Sequence, residues 1–253
     1  LVQKSAHHSR METVVDEIGP DVYRLSTFVP GITEHGFTFN QFLMTGDEPF
    51  LFHCGHRQFF PFVSEAINRV VPLEKLRWIS FGHLEADECG AVNLLLDAAP
   101  NAEVIHSALA CMLSLTDLCD RPPVAAPEDG VHDIGGHRLR FIATPHVPHN
   151  WEAGLWFDET TSTLLAGDLF THVGAGPAIT EADVVEPALA AEGFFHATGL
   201  TTNLQPTLHQ LADLKPTTLA LMHGASHSGD GAGQLRALAD GYTAMAAAVC
   251  GRP

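Results

Sequence analysis

A chain of 253 residues with 45% apolar content is long enough to bury one large core, so a single α/β domain is expected over residues 11–253. Thirteen basic against 30 acidic residues leave a formal charge of −17, which opposes the attraction that supplies nucleic-acid affinity and repels anionic membrane surfaces. No apolar run approaches the roughly 20 residues of a membrane-spanning helix and no basic-then-apolar leader opens the chain, so the expectation is a cytoplasmic protein with neither nucleic acid nor membrane as partner.

Residues 1–10 read as a polar arm, native or vector-derived, with Met11 as an alternative start. Short β-branched and aromatic runs then alternate with segments of helical period, the pattern of one α/β unit. Strands are expected over 22–28, 37–44 and 49–53, separated by Gly31, Gly36 and Gly46, as a meander that opens a sheet. Phe62, Ala66, Ile67 and Val70 at helical spacing predict a helix over 61–70, its Pro61 suited to the first turn. A buried strand follows over 76–81, a helix over 90–98 closed by Pro100, and a short strand over 103–106. Three prolines make 121–130 a loop. Strands over 137–143, 154–157, 163–167 and 217–222 precede a closing helix over 234–249, with loops expected at 171–177 and 223–233. The five cysteines include no Cys-x-x-Cys pair, which argues for reduced thiols and against a zinc ribbon or disulfide framework.

In four places a strand that reads as buried runs into a residue able to bind metal: Phe81 into His83, Thr144 into the His146 and His149 loop, Ala166 into Asp168, and Leu221 into His223. Loops at strand ends are where scaffolds build sites, because the strands hold the loops while their tips reach solvent. In His83-Leu84-Glu85-Ala86-Asp87, alternate residues of an extended or turning loop project to one side, so His83, Glu85 and Asp87 can converge on an ion. The competing reading of Asp87 is a helix N-cap. Asp168 follows an apolar strand and Gly167, and a carboxylate there needs a cation or donors, or serves as a cap. His227, four residues beyond His223, reads as solvated, and His7, His8, His132, His137, His196 and His209 as scattered surface or core residues.

The motif resembles the metallo-β-lactamase superfamily, whose hydrolases carry His-x-His-x-Asp-His. Glu85 in place of the second His is similar to the flavodiiron branch, and the Asp87-Glu88-Cys89-Gly90 run to stand-alone oxygen-binding di-iron proteins that lack a flavodoxin domain. The resemblance, running from about Val22 to His223, implies an αββα four-layer sandwich. It implies two iron ions held by His83, Glu85, Asp87, His149, Asp168 and His223, with dioxygen or nitric oxide as the ligand. It also selects His149 over His146, because the ligand His of that branch lies nineteen residues before the bridging Asp. His146 then becomes a group that orients a ligand carboxylate or relays protons, or simply packs under Trp151. Flavodiiron proteins carry His where Glu88 stands, so this chain departs from the pattern there.

Ligand chemistry points the same way. A carboxylate in place of imidazole hardens the site, and mixed His and carboxylate shells with open positions favour iron or manganese over a closed zinc site. Glu85, Asp87 and Asp168 nearly neutralise a diferrous pair, whereas a diferric pair still needs bridging oxo, hydroxo or peroxo ligands. If Asp168 bridges, six residues supply about seven bonds of the roughly twelve that two octahedral ions accept.

The chain offers no flavin site, flavodoxin-like segment or cysteine-ligated iron. It is therefore expected to be an oxygen-binding or sensing protein with a signalling partner, or an O2/NO reductase with an external electron donor. The alternative is a di-zinc or di-manganese hydrolase. A homodimer is the expected assembly. His53, Cys54 and His56 end a strand where a proton relay or a plain strand end is expected. Phe28, Phe37, Phe39, Phe59, Phe60, Phe194 and Phe195 either wall a dry pocket or are core, and Cys89 is a candidate for oxidation.

Overall fold

The computed structural model describes residues 11–128 and 130–250; the arm expected at 1–10 lies outside them. Seven strands form one sheet in the order β1 to β7: β1 (Thr13–Gly19), β2 (Val22–Val29), β3 (Phe37–Met44), β4 (Phe50–Phe52), β5 (Trp78–Ser80), β6 (Glu103–His106) and β7 (Val124–Ala125). Its first four strands pair antiparallel and the rest in parallel. The second sheet runs β12-β14-β13-β11-β10-β9-β8, built from β8 (His132–Asp133), β9 (Arg138–Ala143), β10 (Gly154–Asp158), β11 (Thr163–Leu165), β12 (Ile179–Thr180), β13 (Thr218–Ala220) and β14 (Ser226–Ser228).

Alternation along the strands sets the layers. Phe42, Met44, Phe50 and Phe52 face the other sheet and pack with Phe141, Trp156 and Leu164, while Leu43 and Leu51, one residue out of phase, face outward. That outer face is covered by α1 (Phe60–Asn68), the short α2 (Ala86–Cys89) and α3 (Val92–Ala98), through Val63, Ile67, Val92 and Leu95. The next segment winds through α4 (Ala108–Ala110), a π-helical stretch over Cys111–Leu115 and α5 (Thr116–Leu118). The far face of the second sheet is covered by α6 (Val185–Phe195), α7 (Leu204–Asp213) and α8 (Gly231–Cys250), through Val185, Leu208, Leu211 and Leu238. The result is the expected αββα sandwich. Among the described residues no helix is long and apolar enough to cross a membrane.

A polar link joins the centres of the two sheets. Trp156 Nε1 donates to Ser80 Oγ at 2.8 Å, and Ser80 Oγ donates to the carbonyl of Ile105 at 2.6 Å. A buried indole N–H needs such a partner, and the link anchors β5 just before the loop that carries His83.

Several expectations need correction. The segment 121–130 is not all loop, because Val124 and Ala125 add a parallel edge strand to β6. The loop expected over 223–233 contains β14, in which His227 is buried and its Nδ1 donates to the Ala182 carbonyl at 3.1 Å; it is not solvated. His137, read as surface or core, is a core residue, 2.8 Å from Asp158. Asp87 is not an N-cap; Glu85 holds that position, and its side chain makes no capping bond.

Candidate metal centre

Four loops converge at one end of the sandwich, those following β5, β9, β11 and β13. Glu85 is extended (φ −142°, ψ 160°) and leads into α2, so Asp87 and Glu88 lie in the first helical turn. Gly167 has φ +53°, a left-handed conformation that glycine adopts without steric cost, and it turns the chain so that Asp168 enters the site.

The geometry centres on two carboxylates. Glu85 Oε2 lies 3.0 Å from both His83 Nε2 and His149 Nε2. Asp168 Oδ2 faces the same two imidazoles at 3.7 and 3.9 Å. Its other oxygen, Oδ1, lies 3.2 Å from His223 Nε2, which is itself 3.5 Å from Asp87 Oδ2. Donor atoms of His83, Glu85, His149 and Asp168 all fall within 4.8 Å of one another. Asp168 therefore presents one oxygen to the group of His83, Glu85 and His149 and the other to His223, which also faces Asp87.

Three features fit this donor set to cations. Asp168 Oδ1 is buried yet accepts no well-formed hydrogen bond, which a native interior rarely tolerates without a further partner. His223 Nδ1 lies 2.7 Å from the carbonyl of Thr38; a carbonyl only accepts, so Nδ1 carries a proton and Nε2 is the nitrogen turned toward the cluster. The electrostatics favour positive charge as well. Burial lowers the pKa of His83 and of His223, but the carboxylates of Glu88, Glu85 and Asp168 hold His83 up at about 9, and those of Asp168 and Asp87 hold His223 up at about 10. Hydrogen bonds from His149 and His83 bring Glu85 down to about 2. For Asp168, burial opposes ionisation, yet His223, His83 and His149 hold it well below the usual carboxylate range. Three carboxylates with three imidazoles form a hard, mixed shell of the kind that suits iron or manganese.

Behind the cluster, Glu88 is fully buried. Its Oε2 accepts from Gly82 N at 2.7 Å and lies 2.5 Å from His53 Nδ1, while Oε1 faces His83 Nδ1 at 3.5 Å. His146 is exposed, with φ +64°, and its backbone N donates to Asn150 at 2.7 Å; its side chain lies outside the cavity wall. Trp151, under which His146 was expected to pack, is 51% exposed.

Sequence reasoning missed the groups that clamp these loops. Glu152 accepts from Leu84 N at 3.0 Å and joins the His149 loop to the His83 loop. From the other sheet, Asn40 Nδ2 donates to the carbonyls of Leu221 and Gly224, Arg24 donates to Gly224, and Thr38 Oγ1 accepts from Gly224 N at 2.7 Å. These contacts join residues up to 200 positions apart, which no local pattern announces.

A cavity of about 690 Å³ opens over the cluster. Phe37, Phe39 and Phe195 line it, and Phe37 stacks on His223 with ring centroids 4.4 Å apart. Phe59 backs Phe39 at 5.3 Å, whereas Phe28 and Phe194 are exposed. His56 also lines the cavity. Cys89 is buried with its thiol directed to the Glu85 carbonyl, and burial pushes that thiol up to about 12, which disfavours the reactive thiolate.

A family model described as ODP family beta lactamase matches residues 37–224. The provisionally named diflavin flavoprotein A 2 of Synechocystis sp. is 32% identical over 139 residues, which is 54% of this chain and 24% of that protein. Among solved structures, the metal-soaked Flv1 flavodiiron core from Synechocystis sp. superposes with a TM-score of 0.80 at 22% identity, over 92% of this chain and 61% of that one. Rubredoxin oxygen:oxidoreductase from Desulfovibrio gigas gives 0.76 at 16% identity, over 92% and 61%. The chain thus spans about a quarter of the length of the curated relatives it matches.

Proposed function

The chain belongs to the ODP family of beta lactamases, and from that premise we propose that His83, Glu85, Asp87, His149, Asp168 and His223 hold two iron ions at which dioxygen or nitric oxide binds. The observation that carries this reading is the division of Asp168, one oxygen toward His83 and His149, which share Glu85, and the other toward His223, which also faces Asp87. Two iron ions in such a shell would supply reducing electrons and open positions for a diatomic gas.

The remaining roles fall to the protein. Glu85, Asp87 and Asp168 offset the cationic charge, and His223 is kept in one tautomer by the Thr38 carbonyl. Phe37, Phe39 and Phe195 keep bulk water from one wall, which strengthens every charge interaction inside. Electrons for gas reduction come from an external donor; in a sensing role the gas-bound state is read by a partner protein instead.

Anaerobic loading with ferrous iron, followed by dioxygen or nitric oxide, tests the reading. The expected result is two irons per chain and a new visible absorption band with each gas. Colourless protein that retains two zinc ions and hydrolyses esters contradicts it. Adding a reduced flavoprotein separates reduction, which consumes gas continuously, from sensing, which does not.

A further inference from the structure

Helix α8 sends one side chain into the cavity. Tyr242 lines it together with Asp168 and His223, is 3% exposed, and is one of only two tyrosines in the chain. Its position is set by a close approach between α8 and α6: a Cβ on Gly241 would come within 2.5 Å of Leu189 Cδ1, so the absence of a side chain there lets the helices meet. Nearby, Glu192 is almost wholly buried, and its carboxylate accepts from Thr198 N at 3.1 Å and from the Thr198 hydroxyl at 2.7 Å.

Three hydroxyls line the cavity, and two are committed. Thr171 O–H donates to the Asp168 carbonyl at 2.7 Å, and the single proton of the Thr198 hydroxyl goes to Glu192. Tyr242 touches Thr198 at 3.3 Å, well beyond the roughly 2.7–2.8 Å of a good O–H···O bond. The phenol O–H is therefore loosely held. Burial, with the Glu192 charge nearby, pushes Tyr242 up to about 12, so it stays a neutral donor at physiological pH.

We infer that the Tyr242 O–H donates a hydrogen bond to a small ligand with an exposed lone pair, bound in the cavity against the metal cluster, and so determines which small ligands are retained there. The 3.3 Å contact to Thr198 Oγ1, itself anchored on Glu192, is the one polar contact of the phenol among the described residues, and a bound ligand offering a better acceptor takes the proton from it. The inference rests on the di-iron reading. A ligand whose outer atom carries negative charge gains most from such a donor, because hydrogen bonds to charged acceptors are the stronger ones.

Azide is the probe, titrated into oxidised, iron-loaded protein by visible absorption, with metal content measured on each sample. Tyr242→Phe is expected to hold two irons per chain and to bind azide about tenfold more weakly, equivalent to about 1.4 kcal/mol. The azide stretching band should shift between H2O and D2O in the parent protein and lose that shift in the variant. Wild-type protein that takes up no iron overturns the di-iron reading and this inference together. Two irons per chain with Y242F binding azide within twofold of wild type overturns the role of Tyr242 alone. A measurement on the unaltered protein covers the case of a variant that does not fold: azide should perturb the tyrosine bands in the ultraviolet Raman spectrum, and unchanged bands contradict the contact.

Discussion

Glu88 Oε2 and His53 Nδ1 lie 2.5 Å apart in a part of the core where neither side chain meets solvent. A buried carboxylate needs partners: Glu88 Oε2 has His53 and the Gly82 amide, while Oε1 makes no hydrogen bond and faces His83 Nδ1 at 3.5 Å. A carboxylate facing Nδ1 turns the opposite nitrogen of His83 toward the cluster. Glu88→Gln keeps the shape and removes the charge. It is expected to weaken iron binding by about 10- to 100-fold, read by competition with a chelator, while the circular dichroism spectrum stays unchanged.

Asp168→Asn removes the negative charge shared between the two donor sets. Iron bound per chain is expected to fall from two to one or none, measured by metal analysis after anaerobic loading. Retention of two irons would show that Asp168 does not link the sets.

Asn40 tests the clamp on His223 from the opposite sheet. Asn40→Ala strips one donor from the buried carbonyls of Leu221 and Gly224. A buried partner left unsatisfied costs about 1–3 kcal/mol, so urea denaturation should show a loss of that size. Iron affinity should fall with it, because the loop that carries His223 is loosened.

His106 supplies a pH dependence at a residue that is not itself a proposed ligand. It is fully buried against Phe81 and Phe141, and burial lowers it to about 4. Between its ordinary value near 6.5 and about 4, the unfolded chain takes up a proton that the folded chain refuses. Its contribution to stability is therefore complete above about pH 6.5 and declines as the pH falls toward 4. His106→Leu should lose about 2 kcal/mol less than wild type between pH 7 and pH 5, measured by denaturant titration at both values.

The sandwich was largely legible in the chain because its central strands advertise themselves. Phe37–Met44 and Glu103–His106 are β-branched and aromatic runs bounded by turn residues or a proline, and the structure places strands there. β1 was missed because Asp16 and Glu17 interrupt its apolar pattern at a half-exposed edge. α6 was missed because it has little contrast between its faces, and α7 was missed with it. At the candidate site, His83, Glu85 and Asp87 could be named from local spacing. Choosing His149 over His146 needed a resemblance, since both stand within one short loop. Glu152, Asn40, Arg24 and Tyr242 left no local signal: their importance comes from meeting distant backbone or a shared cavity, and only folding reveals that.

Anomalous diffraction at the iron edge, from crystals loaded anaerobically, tests the central claim most directly. The account predicts two iron peaks, one beside Asp168 Oδ2 with His83, Glu85 and His149, the other beside Asp168 Oδ1 with Asp87 and His223. A single peak, or iron bound away from Asp168, would contradict it.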